Sequence, residues 1–248
     1  MNELQNALIR YFSDPSVFAD VLNVHLHKGV RIFLPENITN SRPPIFCGRE
    51  GNRFLLFQND LSMNYEEEGM IRTRYLLDFC FCSKPTMLKH RFPEGTVPLP
   101  ISFPESSGHS ANLLSGQIIR LLFYVGKPLT NNRMRNDLLM GQSADECGQS
   151  QALPYGILFP EEAEDEWFDH CASDYRLIGR ILKYRDEKEI IDSLVKTFIN
   201  TDPKESSVRF LRSFFDVTDV NLSMDPASKE VLFRIPDAAK TSLTVDPA

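Results

Sequence analysis

One run constrains this chain more than any other. Ile118 to Gly126 reads Ile-Ile-Arg-Leu-Leu-Phe-Tyr-Val-Gly and is almost wholly apolar. A run of this length and composition is a strand covered on both faces, at the centre of a sheet. The rest of the chain must supply those covering layers.

The first segment supplies helix. Leu4, Ala7, Leu8, Tyr11 and Phe12 fall on one face at helical spacing. Asp14 followed by Pro15 reads as an N-cap with proline at the first helical position. Val17, Phe18, Val21 and Leu22 continue the stripe, and Gly29 ends or follows this second helix. Short apolar runs come next. Val30 to Leu34 is one, and Arg53 to Phe57 is a buried-strand candidate. Ile71 to Cys82 fits helix and strand equally, which leaves open whether Arg72 and Arg74 share a face. Residues 84–110 carry five prolines and read as loop, and a second polar region runs from Asn131 to Asp174. Ile178 to Asn200 reads as strongly helical. Val208, Leu211, Phe214 and Phe215 predict another helix, and Val231 to Ile235 a short strand. The last dozen residues read as loose. The order is that of an α/β or α+β protein.

Bulk composition excludes several classes. The 248 residues suffice for a large core without disulfide staples. Hydrophobic residues at 42% and charged residues at 25% argue against whole-chain disorder. No apolar run approaches the roughly 18 residues of a membrane span, and no signal-peptide pattern opens the sequence, so a cytoplasmic location without membrane attachment is expected. A net charge of -7 argues against non-specific coating of nucleic acid, although a local basic groove remains compatible with it. Five cysteines without a CxxC pair read as free thiols.

Few constellations carry chemistry. His25 and His27 would share a face only on a strand, and a zinc site needs about three or four placed ligands. Polar residues at a helix end is the simpler reading. Cys80 and Cys82 sit beside Phe79 and Phe81 and read as core. Phosphate-loop and GxSxG motifs are absent. The acidic run Glu161, Glu162, Glu164, Asp165, Glu166 and Asp169 reads as a solvated loop able to attract a basic partner. Arg42, Arg49, Arg53, Arg72, Arg74, Lys84, Lys89 and Arg91 would either line a phosphate-binding surface or balance Glu66, Glu67 and Glu68. Asp60 follows a predicted strand, a place where metal-dependent nucleases put a ligand, although such residues also cap turns.

Several segments together resemble one family in order, from Phe12 to Glu189. Phe12-Ser-Asp-Pro-Ser-Val-Phe-Ala-Asp20-Val-Leu-Asn23 and His27-Lys-Gly-Val-Arg-Ile-Phe-Leu-Pro35-Glu36 are similar to the opening of the Rpn family, the recombination-promoting nucleases of mobile-element, transposase-like type. Ile118 to Gly126 resembles the family's apolar strand ending in Tyr-x-Gly. Leu138 and Leu139 fit its leucine-rich helix, and Ile181-Leu-Lys-Tyr-Arg-Asp-Glu-Lys-Glu its lysine-rich stretch. The resemblance implies a PD-(D/E)XK nuclease-like fold, a mixed central sheet flanked by helices, cutting DNA with Mg²⁺ or Mn²⁺.

The family places a metal-binding Asp before a strand and Glu-x-Gln at the end of the following strand. Residues Asn40 to Gly48 hold no Asp, and alignment on Tyr65 sets Gln58-Asn59-Asp60 where Glu-x-Gln belongs. The resemblance therefore implies Asp20, Gln58 and Asp60 at the catalytic positions; in a rearranged site Asp20, Asp60 and the nearby Glu50 would be the metal ligands, with Lys84 or Lys89 near phosphate. Gln is neutral and binds Mg²⁺ poorly. The expectation is an eroded metal site in a protein acting through nucleic-acid or protein binding. An active endonuclease with rearranged carboxylates and an unrelated α/β interaction domain are the alternatives. An oligomer is compatible with all three. The expected organisation is a nuclease-like core over 1–175 with polar insertions at 84–110 and 140–174, then a mostly helical extension over 176–248 packed on that core.

Overall fold

Helical periodicity at the start of the chain becomes two helices. A computed structural model describes residues 3–43, 45–50, 53–80, 99–101, 117–124 and 155–218. Helix α1 spans Glu3–Phe12 and buries Leu4, Ala7, Leu8, Tyr11 and Phe12. Helix α2 spans Pro15–His27, and the Asp14 side chain caps it by accepting from the Ser16 N–H at 2.9 Å. Lys28 ends α2 in the left-handed region, and the Gly29 N–H reaches back to the Asn23 carbonyl at 2.9 Å. Gly29 has a φ of 81°, and a Cβ there would lie 2.8 Å from the Trp167 Cα, so this position requires glycine twice over.

Five strands form a mixed sheet in the order β1-β4-β5-β7-β8. They are β1 (Ile38–Ser41), β4 (Leu61–Glu67), β5 (Met70–Cys80), β7 (Gln117–Tyr124) and β8 (Tyr155–Leu158). The first three pair antiparallel, whereas β5, β7 and β8 run parallel. The apolar run from Ile118 falls in β7, an interior strand between β5 and β8. The stretch from Ile71 that fitted helix and strand alike is strand β5 as far as Cys80. Arg72 pairs with Glu67 and Glu68, and the Arg74 Nε donates to Asn64 at 3.0 Å.

The two faces of this sheet differ. Tyr75, Leu77 and Phe79 alternate on β5, beside Leu121 and Phe123 of β7, and join one apolar cluster with the helices. The Phe12 ring lies 5.2 Å from Phe79 and 4.9 Å from Phe123, centroid to centroid. The opposite parity carries Ser62, Asn64, Asp78 and Arg120, all buried and polar. Cys80, Leu122 and Tyr124 form a smaller apolar cluster with Phe159 toward one end.

A second sheet has the order β3-β2-β6, from β2 (Ile45–Glu50), β3 (Arg53–Gln58) and β6 (Leu99–Ile101). Strand β6 corrects part of the loop expected over 84–110. It holds Pro100, which an edge position tolerates because one side of an edge strand needs no ladder N–H.

Two further expectations are corrected. Within the polar region expected over 140–174, residues 140–154 lie outside the described residues, while β8 joins the main sheet and helix α3 (Asp165–Asp169) buries Phe168. Ile178 to Asn200 is not one helix but two, α4 (Tyr175–Lys183) and α5 (Lys188–Ile199). Leu182 and Ile191 are nine residues apart, about two and a half helical turns. One straight helix would set their stripes on opposite sides, and the break at 184–187 returns both to the core. Helix α6 (Glu205–Thr218) packs on α1. Leu138, Leu139, Lys84, Lys89 and the strand predicted at Val231 to Ile235 lie outside the described residues.

Candidate functional site

Strand register brings two carboxylates to one corner. Asp60 immediately precedes β4, and β4 pairs antiparallel with β5 so that Leu61 faces Leu77. Asp78 is therefore the neighbour of Asp60. The Asp60 N–H donates to Asp78 Oδ1 at 3.2 Å, and the Phe79 N–H donates to Asp60 Oδ2 at 2.9 Å. Gln5 of α1 donates through Nε2 to Asp60 Oδ1 at 2.5 Å. Asn59 donates through Nδ2 to Asp78 Oδ2 at 2.6 Å. Asp78 is 0% exposed and Asn59 4%.

This geometry has an electrostatic cost. Two carboxylates at one corner repel, and low dielectric amplifies the effect. Backbone and amide donors stabilise the charged forms in return. Arg120 lies on β7 opposite Leu76, on the same face of the sheet as Asp78, and adds a buried cation to that face. One polar atom at the corner is unsatisfied: among the described residues the buried Asn59 Oδ1 has no hydrogen-bond partner.

The other expected site residues lie elsewhere. Asp20, 5% exposed on α2, accepts from the Ala172 N–H at 3.2 Å, the Ser173 N–H at 2.7 Å and the Ser173 hydroxyl at 2.6 Å. It fastens the segment leading into α4. Gln58 ends β3, in the other sheet, and its exposed side chain donates to the Pro43 carbonyl at 2.7 Å. Glu50 ends β2, with its side chain outside the described residues. Of the two proposed carboxylates whose side chains are described, Asp60 is the one hydrogen-bonded into a corner with another carboxylate. Asp78 was missed, although a charged residue inside Tyr-Leu-Leu-Asp-Phe-Cys is itself a signal, since aspartate is rarely buried without a reason.

The remaining titratable groups serve packing. The His25 Nε2 lies 2.7 Å from the Tyr175 hydroxyl, and its ring meets Phe123 edge-on. Desolvation holds this imidazole down to about 3, so it is neutral at ordinary pH. The His27 ring packs against Phe33. Burial pushes the Cys171 thiol well up, with Asp20 adding to the effect, so it is a poor nucleophile. The acidic run is largely solvent-exposed, as expected, but it lies on a 3-10 turn and α3 rather than a loop and also makes ion pairs. Asp165 meets Lys183 at 2.5 Å, Asp169 meets Arg180 at 2.7 Å and Glu161 meets Arg185 at 3.2 Å.

Among the described residues no group of three or more His, Cys, Asp or Glu side chains is arranged to hold a metal ion. None of the described helices is long and apolar enough to cross a membrane. Comparison of the chain with protein families, with curated proteins and with solved structures finds no match.

Proposed function

We propose that the chain is a divalent-cation-dependent phosphodiesterase of the Rpn type, acting on DNA, with Asp60 and Asp78 as its metal-binding carboxylates. The observation that carries this reading is the Leu61–Leu77 register, which sets the two acids side by side. Asp60 before one strand and Asp78 near the end of the next would suit the family's pattern better than the alignment on Tyr65, which set Gln58-Asn59-Asp60 at Glu-x-Gln. Cys80 then stands where the family has Gln. In this register Gln58 is no longer a replaced ligand, so the argument for an eroded site loses its main support.

The residues present fit such a cation. Mg²⁺ is commonly held by one or two carboxylates with water and substrate phosphate filling the other positions. When bound, it would polarise a phosphoryl oxygen and lower the pKa of an attacking water. The chain's own contribution is orientation. Gln5 and the Phe79 N–H fix the Asp60 carboxylate, and Asn59 fixes that of Asp78.

A second reading, binding of nucleic acid or a protein partner without cleavage, is favoured by a different observation. All four oxygens of the pair already accept hydrogen bonds, and Asp78 has no exposed surface. Supercoiled-plasmid cleavage in Mg²⁺ and in Mn²⁺, beside EDTA and the variants Asp60→Asn and Asp78→Asn, separates the two. Cleavage that requires the metal and both acids supports the first reading. A salt-sensitive gel shift without cleavage supports nucleic-acid binding, and neither result leaves a protein partner.

A further inference from the structure

We infer that Asn59 is a metal ligand, its side-chain Oδ1 supplying a third oxygen to the divalent cation held by Asp60 and Asp78. The inference rests on the reading just proposed and deepens it.

Asn59 presents an acceptor that no described residue meets. A buried amide oxygen without a donor costs on the order of 1–3 kcal/mol in proteins, and such groups are rare. The Asn59 Oδ1 is one, in a residue that is 4% exposed. The amide is not free to rotate the oxygen away, because its Nδ2 donates to Asp78 at 2.6 Å. That bond holds the orphan oxygen next to the carboxylate pair. Asn59 is also chain neighbour to Asp60, in the short link between β3 and β4, so the three oxygen-bearing side chains come from two adjoining strand ends.

Charge and hardness agree with this assignment. Two carboxylates are hard anionic ligands suited to a dication, and a neutral amide oxygen adds a ligand without adding charge. Amide and carbonyl oxygens are ordinary ligands of hard cations. An all-oxygen set favours Mg²⁺, Mn²⁺ or Ca²⁺ over Zn²⁺.

The test measures Mn²⁺ binding to the full chain by the loss of the free-ion paramagnetic resonance signal, a readout independent of cleavage. Wild type is compared with Asp78→Asn, Asn59→Ala and Asn59→Asp, and thermal melts in EDTA confirm that each is folded. The expected result is saturable binding by wild type, weakened roughly 10–100-fold in Asn59→Ala and retained or tightened in Asn59→Asp. Asn59→Asp keeps an oxygen but loses the N–H that orients Asp78. Weakening in both variants would make Asn59 a positioning donor and overturn the inference, as would wild-type affinity in Asn59→Ala. In both cases loss of binding in Asp78→Asn would leave the carboxylate reading intact. Folded wild type that binds no Mn²⁺ would overturn that reading and the inference with it. If Asn59→Ala does not fold, Asn59→Asp decides alone: retained or tightened binding supports the ligand role, and weakened binding overturns it.

Discussion

Asp20 and Asp78 are both aspartates buried almost completely, yet they sit in opposite circumstances. Asp20 meets three donors from a segment about 150 positions along the chain, two of them backbone N–H groups. Its charge is matched by dipoles that would otherwise be unpaired. Asp78 meets the amide of Asn59, the N–H of Asp60 and, beyond that N–H, a second carboxylate. The first arrangement is complete as it stands. The second sets like charges together and leaves an amide oxygen unsatisfied. Burial alone therefore does not tell a fastening carboxylate from a reactive one, whereas what surrounds each carboxylate does.

Four measurements would break or sharpen that contrast. The largest effect belongs to the corner. Asp78→Asn should lower metal-dependent plasmid cleavage by roughly 10²–10³-fold, the scale of losing one placed electrostatic group. Urea unfolding should shift less for this variant than for the Asp20 variant, because Asn keeps an acceptor for Asn59.

The converse is expected at the clasp. Asp20→Ala strips three bonds from one buried carboxylate and leaves two part-buried N–H groups without their acceptor, a loss of about 1–3 kcal/mol in urea unfolding. Its Mn²⁺ affinity should be that of wild type. A stable Asp20→Ala protein that no longer binds Mn²⁺ would erase the distinction between the two regions.

Gly29→Ala comes next. A side chain in the left-handed region costs roughly 1–3 kcal/mol, and this one would also press on the Trp167 backbone. The thermal midpoint should fall while Mn²⁺ binding holds, because the affected contact leads toward the clasp and not toward the corner.

The smallest effect is at the α2 cap. Desolvation raises the Asp14 pKa, but the bonds from Lys204 and Ser16 outweigh it and the net shift is downward from 3.8. A lowered folded value means that this stability is present above the ordinary carboxylate pKa and is lost as pH falls through the folded one. Lys204 is 63% exposed, so removing it should cost only about 0.2–1 kcal/mol at neutral pH. Lys204→Ala should flatten the acid limb of a stability–pH curve.

Local signals were legible in the sequence and long-range ones were not. The α2 cap at Asp14-Pro15, the stop at Gly29 and strand β7 all rest on neighbours a few positions apart. Strand β8 is four residues long inside a polar region, and only its pairing with β7 makes it structure. The split between α4 and α5 was readable in principle, from the half-turn change of phase between Leu182 and Ile191. At the candidate site Asp60 was legible from its place beside a strand. Its partner was not, because alignment on Tyr65 took β3 as the relevant strand, and only the β4–β5 register identifies Asp78.

The packing of α1 against α6 has a consequence for how this molecule is made. Tyr11 stacks on Phe210 at 5.1 Å, and Lys204 reaches Asp14 across 190 residues of chain. At about 5–20 residues per second, a ribosome needs roughly 10–40 s to deliver the second helix after the first. Phe12 meets Phe79 and Phe123 sooner, but throughout that interval Tyr11 lacks the Phe210 ring it stacks on. Emergence of α6 is therefore the event that closes the packing between the two ends of the described chain.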